Sequence, residues 1–104
     1  MPKRFMENGY RILWTDHALS ELVKTYEYLE IHFTKRELTK LSIEIDRTLQ
    51  LISKNPSLFP LSESHGIRRV VIKKFNTMYY RENESYVEIL SFFSNRQNPN
   101  KRKI

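Results

Sequence analysis

Two apolar stripes with helical spacing, separated by almost no linker, constrain the fold more than any other feature of this sequence. Thr15 precedes the first stripe as a suitable N-cap, and Thr34 precedes the second in a capping-box pattern with Glu37. Pro56 ends the second helix because proline cannot continue the backbone hydrogen bonds. Helices joined this closely form an antiparallel hairpin, and each stripe needs a second layer to cover it. The apolar residues are Leu19, Leu22, Val23, Tyr26, Leu29 and Phe33, then Leu38, Leu41, Ile45, Leu49 and Ile52.

Four β-prone segments supply the second layer. One precedes the helices and three follow a loop in which Leu58, Phe59 and Leu61 are expected to contact the core. The order β-α-α-β-β-β predicts an α+β fold, a helical hairpin packed on an antiparallel four-stranded sheet. We expect one domain over residues 10–99, between a polar leader, 1–9, and a basic tail, 100–104. The predicted strands are Tyr10–Trp14, Ile67–Phe75, Thr77–Arg81 and Tyr86–Ser94.

Alternation along a strand predicts which side chains the helices leave uncovered. In the second strand Arg68 and Arg69 point to opposite faces, so at most one of them can lie in any one groove. In the last strand the helix-facing set is Val87, Ile89 and Phe93, and the open set is Tyr86, Glu88, Leu90, Phe92 and Ser94. An apolar patch of Tyr86, Leu90 and Phe92 on the open face predicts a protein-binding surface.

Positive charge is concentrated in the strand region. From His65 onward there are nine Lys or Arg against three Asp or Glu, and the whole chain has a net charge of +6. Such a surface favours a polyanion or an acidic protein as partner. The chain has no cysteine, which excludes disulfides, thiolate nucleophiles and cysteine-bound zinc and fits a reducing cytoplasm. No apolar run is long enough for a membrane span, so we expect no membrane partner.

The order and spacing of these segments resemble the RelE/ParE superfamily of toxins from type II toxin–antitoxin, or plasmid stabilization, systems. The resemblance covers Tyr10 to Pro99. It depends on the strand-to-helix step at Trp14-Thr15 with Ala18 after it, the loop Asn55-Pro56 to Phe59-Pro60, the segment Gly66-Ile67-Arg68-Arg69, the strand Tyr79-Tyr80-Arg81, and Ile89-Leu90 leading to Arg96-Gln97-Asn98-Pro99.

Membership would imply a growth-inhibiting toxin, a cognate antitoxin as partner, and either of two targets. RelE-like members are ribosome-dependent endoribonucleases that cut mRNA, and ParE-like members inhibit DNA gyrase. Thr77 stands where nuclease members often have an arginine, and Ser94 where many members have a histidine. The Tyr79-Tyr80-Arg81 strand and the loop prolines are closer to the ParE branch, which we favour. A non-toxic antitoxin-binding module is a further alternative.

The resemblance also implies site residues. Catalytic candidates, if the chain is a nuclease, are Arg68, Arg69 and Arg96, which would hold the scissile phosphate. The target-binding set is Arg68, Arg69, Lys73, Lys74, Arg81 and Arg96, although the two lysines also suit a solvated surface. The antitoxin-binding set is Tyr86, Leu90 and Phe92.

The histidines and glycines predict no cofactor, metal or small-molecule substrate. His17 and His32 are fifteen residues apart on one helix and cannot converge on a metal ion. His65 precedes the basic strand and is the histidine nearest to the predicted open face. Only Gly9 and Gly66 occur, which excludes a glycine-rich phosphate loop.

Overall fold

The computed structural model describes residues 9–62 and 66–95. Within these ranges the chain forms four strands and two helices in the order β-α-α-β-β-β. The elements are β1 (Arg11–Trp14), α1 (Asp16–His32), α2 (Lys35–Lys54), β2 (Ile67–Ile72), β3 (Asn76–Glu82) and β4 (Tyr86–Ser94). The predicted α+β fold of a helical hairpin on a four-stranded sheet is confirmed.

The sheet has the strand order β1-β4-β3-β2 and is mixed. β2, β3 and β4 form an antiparallel meander, whereas β1 runs parallel to β4, with Arg11 beside Tyr86 and Trp14 beside Ile89. The prediction of an antiparallel sheet is therefore wrong for this one pair. The helical hairpin carries the chain away from β1 before β2 begins, so β1 can pair with the last strand in either direction.

Both helices begin where the sequence predicts. Thr15 Oγ1 accepts a hydrogen bond from the Ala18 N–H at 3.1 Å and donates to the Ile89 carbonyl at 3.1 Å. Thr34 Oγ1 accepts from the Glu37 N–H at 3.3 Å. Each cap satisfies a donor that the first helical turn leaves unpaired, and Thr15 also attaches α1 to the sheet.

The core lies between the helix layer and one face of the sheet. It consists of Ala18, Leu29, Leu41, Ile45, Ile52, Val70, Ile72, Met78, Tyr80, Val87, Ile89 and Phe92. Leu19 and Val23 fall outside this set and are 45% and 48% exposed, although they continue the predicted stripe of α1. The apolar surface of α1 is thus wider than the surface that the sheet can cover.

The loop after α2 is attached to the sheet through polar contacts and one aromatic ring. The Tyr80 hydroxyl donates to the Pro56 carbonyl at 2.8 Å, and Phe59 packs against the core. Leu58 and Leu61 are 47% and 58% exposed, so the prediction that they contact the core is wrong. Burial raises the pKa of Tyr80 above its usual 10.0, an effect that a hydrogen bond from the Phe59 backbone partly offsets.

Candidate functional site

The sheet face opposite the helices, called the open face below, is the candidate site. The strand register places the side chains of this face in four rows, one along each strand. The residues are Arg11 and Leu13 of β1, Ile67, Arg69 and Val71 of β2, Thr77, Tyr79 and Arg81 of β3, and Tyr86, Glu88, Leu90 and Phe93 of β4. All of them are partly or fully exposed.

A β-bulge in β4 decides which side chains reach this face. Tyr80 pairs with Ile89 and Tyr79 pairs with Ser91, so Leu90 is an extra residue without a partner on β3. The extra residue reverses the alternation of the strand after it. Phe92 is consequently buried at 1% exposure, and Phe93 lies on the open face. The prediction that Phe92 lies on the open face is wrong, and so is the same prediction for Ser94, which is 5% exposed.

The bulge is held by a carboxylate from α1. Glu21 Oε1 accepts from the Phe92 N–H at 2.8 Å and from the Ser91 hydroxyl at 2.9 Å. His17 Nε2 lies 3.3 Å from the same oxygen. β1 pairs with β4 only as far as Ile89, so the backbone beyond that point lacks a strand neighbour on this side. Glu21 supplies the acceptor that a longer β1 would have supplied.

The cations of the open face have different environments. Arg81 forms an ion pair with Glu88 across β3 and β4, at 3.1 Å between Nη2 and Oε1. Arg69 lies opposite Tyr79 and is exposed, and within the described residues its guanidinium makes no ion pair. Arg11 lies beside Tyr86. Arg11 is also exposed and makes no ion pair within the described residues, so Arg69 and Arg11 are the cations of this face most available to an incoming acidic or phosphate group.

Arg68 has a structural role. Its side chain lies on the helix side of β2, is half-buried, and donates from Nη1 to the Phe59 carbonyl at 2.8 Å. Leu61 and Arg68 also form a backbone bridge. Of the two adjacent arginines, only Arg69 belongs to the open face, which leaves Arg68 poorly placed for the target-binding and catalytic roles considered above.

Lys73 and Lys74 form the turn between β2 and β3 and do not extend β2 as predicted. Both adopt positive φ, 50° and 71°, a region that favours glycine or asparagine. The turn forms here because Asn76 pairs back onto Ile72. Lys73 lines a shallow pocket at this end of the sheet, together with Leu29, Glu37, Leu41, Asn76 and Ser94.

Two predicted residues, Arg96 and His65, lie outside the described residues, as do the basic tail and residues 1–8 of the leader. The other two histidines, His17 and His32, are exposed on α1, on the far side of the sheet from the open face. The open face as described thus has arginine, tyrosine and carboxylate groups and no imidazole. Across the described part of the chain, no cluster of potential ligands could hold a metal ion.

A carboxylate at one end of the sheet raises the pKa of a neighbouring tyrosine. The Tyr10 hydroxyl donates to Glu82 Oε2 at 3.1 Å, and this hydrogen bond raises the pKa of Tyr10 above 10.0. Tyr10 and Glu82 therefore join the beginning of β1 to the end of β3 across β4.

Among the described residues, no helix is long and apolar enough to cross a membrane.

Comparison with known proteins identifies the fold. A chain of the chromosomal ParDE TA system from P. aeruginosa matches with a TM-score of 0.69 at 16% identity, over 84% of this chain and 97% of that one. The YoeB/ParE toxin from Agrobacterium tumefaciens matches with a TM-score of 0.59 at 14% identity, over 81% and 96%. YoeB from Staphylococcus aureus, described as a dimer, matches with a TM-score of 0.56 at 18% identity, over 79% of this chain and 92% of that one.

The chain therefore has the fold of the ParE and YoeB toxin structures, as its resemblance to the RelE/ParE superfamily led us to expect. No protein-family model and no curated protein matches the sequence.

Sequence reasoning missed two residues of this site, Phe93 and Glu21. The adjacent pair Phe92-Phe93 indicates that one ring is buried and one is not, but only the bulge decides which. Glu21 is one of several carboxylates on α1, and its contact with β4 joins positions seventy residues apart. No local pattern marks that contact.

Proposed function

We propose that this chain is the toxin of a type II toxin–antitoxin system and that a cognate antitoxin neutralises it by covering the open face. The observation that carries the proposal is a toxin-like fold whose uncovered sheet face combines apolar and aromatic side chains with exposed cations. Tyr86 and Leu90 keep their predicted antitoxin-binding role, and Phe93 replaces Phe92 in it.

The chemistry of the open face suits an acidic segment with apolar anchors. Leu90 and Phe93 offer apolar area on β4, and Arg69 offers a guanidinium without an ion pair in the described chain. Aromatic and arginine side chains are the residue types that contribute most to binding at protein interfaces. An antitoxin segment with carboxylates around an apolar residue would satisfy both kinds of group.

We further propose that the target is DNA gyrase, as in ParE-like toxins. Cutting RNA requires a group that takes the 2′-hydroxyl proton and cations that stabilise the phosphorane. On the open face as described, arginines are available but no imidazole is, Thr77 stands on β3, and Ser94 is buried. Such a surface supports binding better than proton transfer. Arg96 retains its predicted target-binding role.

The test is induction of this chain without antitoxin in a sensitive bacterial host. Growth, mRNA 5′ ends and gyrase-linked DNA breaks are measured in the same cultures. Growth arrest with DNA breaks and intact mRNA supports the gyrase proposal. New mRNA ends within translated codons would overturn it in favour of a RelE-like ribonuclease, and normal growth would leave a non-toxic antitoxin-binding module.

Variants of the same strain test the role of the open face. Arg69→Ala should relieve growth arrest, whereas Arg36→Ala, at another exposed arginine, on α2, should leave arrest unchanged. Phe93→Ala should weaken rescue by a cognate antitoxin expressed in the same host, and Leu61→Ala, away from the open face, should not. Equal effects within each pair would contradict the assignment of the site.

A further inference from the structure

The bulge divides β4 into two segments that pair with β3 in different registers. In the first segment Ile89 lies opposite Tyr80, and in the second Ser91 lies opposite Tyr79. Leu90 is the residue by which the two registers differ. If Leu90 paired with Tyr79, the first register would continue to the end of β4 and the bulge would disappear.

This continuous register would exchange the two phenylalanines between the faces of the sheet. Phe92 would move from its place opposite Met78 to one opposite Thr77, and Phe93 would move from Thr77 to Asn76. Since Thr77 lies on the open face and Asn76 on the covered face, Phe92 would turn outward and Phe93 inward. The two side chains are identical, so the exchange keeps one ring on each face.

A pocket on the covered face offers space for Phe93 in the continuous register. The pocket lies beside Asn76, is lined by the buried side chains of Leu29 and Leu41, and has about 270 Å³ of empty space, part of it open to solvent. In the observed register Ser94 lies opposite Asn76 and lines this pocket. A phenyl ring in its place would bury apolar area against both leucines.

The observed register leaves the hydroxyl of Ser94 poorly satisfied. Ser94 is 5% exposed, and its side chain makes no hydrogen bond to another described residue. Burying a hydroxyl without a hydrogen-bond partner costs free energy. In the continuous register Ser94 would move to the open face, where water can supply that partner.

Glu21 is the contact that favours the observed register. Its Oε1 accepts from the Phe92 N–H at 2.8 Å and from the Ser91 hydroxyl at 2.9 Å. The continuous register would turn the Phe92 N–H toward β3 and Ser91 toward the core, so both hydrogen bonds would be lost. It would also remove the Phe92 ring from Trp14, whose ring centroid lies 6.4 Å away.

We infer that the end of β4 exchanges between these two registers and that Glu21 sets their populations. The bulged register is the major state and the continuous register the minor state. In the minor state Leu90 takes the open-face position opposite Tyr79 that Ser91 has in the major state. The minor state is therefore more apolar there, and a partner that contacts Leu90 in this position shifts the population toward it. The exchange does not depend on the proposed function.

Thiol labelling at position 94 tests the exchange, because the chain has no cysteine of its own. Ser94→Cys places a buried thiol that becomes exposed in the minor state, so its rate of reaction with a maleimide measures the population of that state. Ser53→Cys, at a position on α2 that is 4% exposed, is the matched control and measures global unfolding. We expect position 94 to react at least about tenfold faster than position 53.

Two substitutions in the Ser94→Cys protein should change its rate in opposite directions. Glu21→Ala should raise the rate at position 94 by about tenfold, because the bulged register loses two hydrogen bonds. Glu21→Gln keeps an acceptor and should raise the rate less. Phe93→Ser should lower the rate by about tenfold, alone or together with Glu21→Ala, because serine replaces the ring that must enter the pocket.

The sign of the Phe93 effect separates register exchange from fraying of the strand end. A substitution that only destabilises the strand would raise the rate at position 94, whereas register exchange requires Phe93→Ser to lower it without lowering the rate at position 53. Phe93→Ala is a milder change that should have the same sign. A rate at position 94 that both variants leave unchanged or raise overturns the inference, and so do equal rates at positions 94 and 53 in the protein with native Glu21 and Phe93.

Discussion

The helix-covered face and the open face of the sheet are built from the same strands, yet they differ in almost every physical property. On β3, Met78 and Tyr80 are fully buried, whereas their neighbours Tyr79 and Arg81 are partly or fully exposed. The covered face is apolar except for polar groups that make hydrogen bonds, such as the Tyr80 hydroxyl and the Arg68 guanidinium. The open face keeps an arginine on each of β1, β2 and β3. The fold requires the apolar composition of the covered face, but it does not require the arginines of the open face.

This difference separates residues that hold the molecule together from residues available to a partner. Adjacent positions can fall on either side of it, as Arg68 and Arg69 do on β2 and Phe92 and Phe93 do on β4. Substitutions at such neighbours are therefore the most direct way to test the comparison.

The largest expected effect is at the phenylalanine pair. Phe92→Ala removes a fully buried ring and should lower the free energy of unfolding by about 3–5 kcal/mol. Phe93→Ala, at a partly exposed position on the open face, should lower it by about 1–2 kcal/mol, because less of this ring is buried. Urea denaturation followed by circular dichroism measures both. Similar losses for the two variants would mean that the bulge does not sort the rings as described.

A smaller effect is expected at the carboxylate that holds the bulge. Glu21→Ala leaves the Phe92 N–H and the Ser91 hydroxyl without their acceptor and should cost about 1–3 kcal/mol. Glu84→Ala, an exposed carboxylate in the turn after β3, is the control and should change stability little. Faster amide hydrogen exchange at Phe92 in the Glu21 variant alone would locate the loss, and unchanged exchange there would contradict it.

Next in size is the buried hydroxyl of Tyr80. Tyr80→Phe removes its hydrogen bond to the Pro56 carbonyl and should cost about 1 kcal/mol at neutral pH. Because burial raises the pKa of Tyr80 in the folded state, the unfolded chain loses this proton first as pH increases. The stability that depends on the protonated hydroxyl is present below pH 10 and falls above it.

The pH dependence of this stability difference tests the raised pKa of Tyr80. The difference in stability between the parent and Tyr80→Phe should shrink as pH rises above 10, because the variant has no proton to lose at this position. A difference that stays constant up to pH 11 would mean that Tyr80 titrates alike in both states. Tyr86→Phe serves as the control on the open face.

The smallest effect, and the only stabilising one, is expected in the turn between β2 and β3. Lys74→Gly places glycine at a φ of 71° and should raise stability by up to about 1 kcal/mol. The same change within α2, Lys40→Gly, should lower stability by about 1 kcal/mol. Thermal unfolding of both variants checks the opposite signs, and a destabilised Lys74 variant would contradict the conformation of this turn.

Much of the architecture was predictable from local patterns. Helical spacing, the caps at Thr15 and Thr34, and Pro56 after α2 define the hairpin, because each acts within a few residues. The candidate site was less predictable. Tyr86 and Leu90 were placed on the open face correctly, whereas Phe92 was assigned to the wrong face because the strand was treated as regular through Leu90. The sequence also left open which of Arg68 and Arg69 would face outward.

The sequence alone therefore determined the elements, their order, and the need for a sheet to cover the helical hairpin. The tertiary structure decided the parallel pairing of β1 with β4, the bulge at Leu90, and the contact of Glu21 with β4. The physical reason is the separation in sequence between the residues that interact. Helix caps and side-chain periodicity depend on near neighbours in the chain. The face on which Phe92 or Phe93 lies depends instead on partners in other elements: Met78 and Thr77 of β3 in the register, and the distant Glu21 of α1 at the bulge.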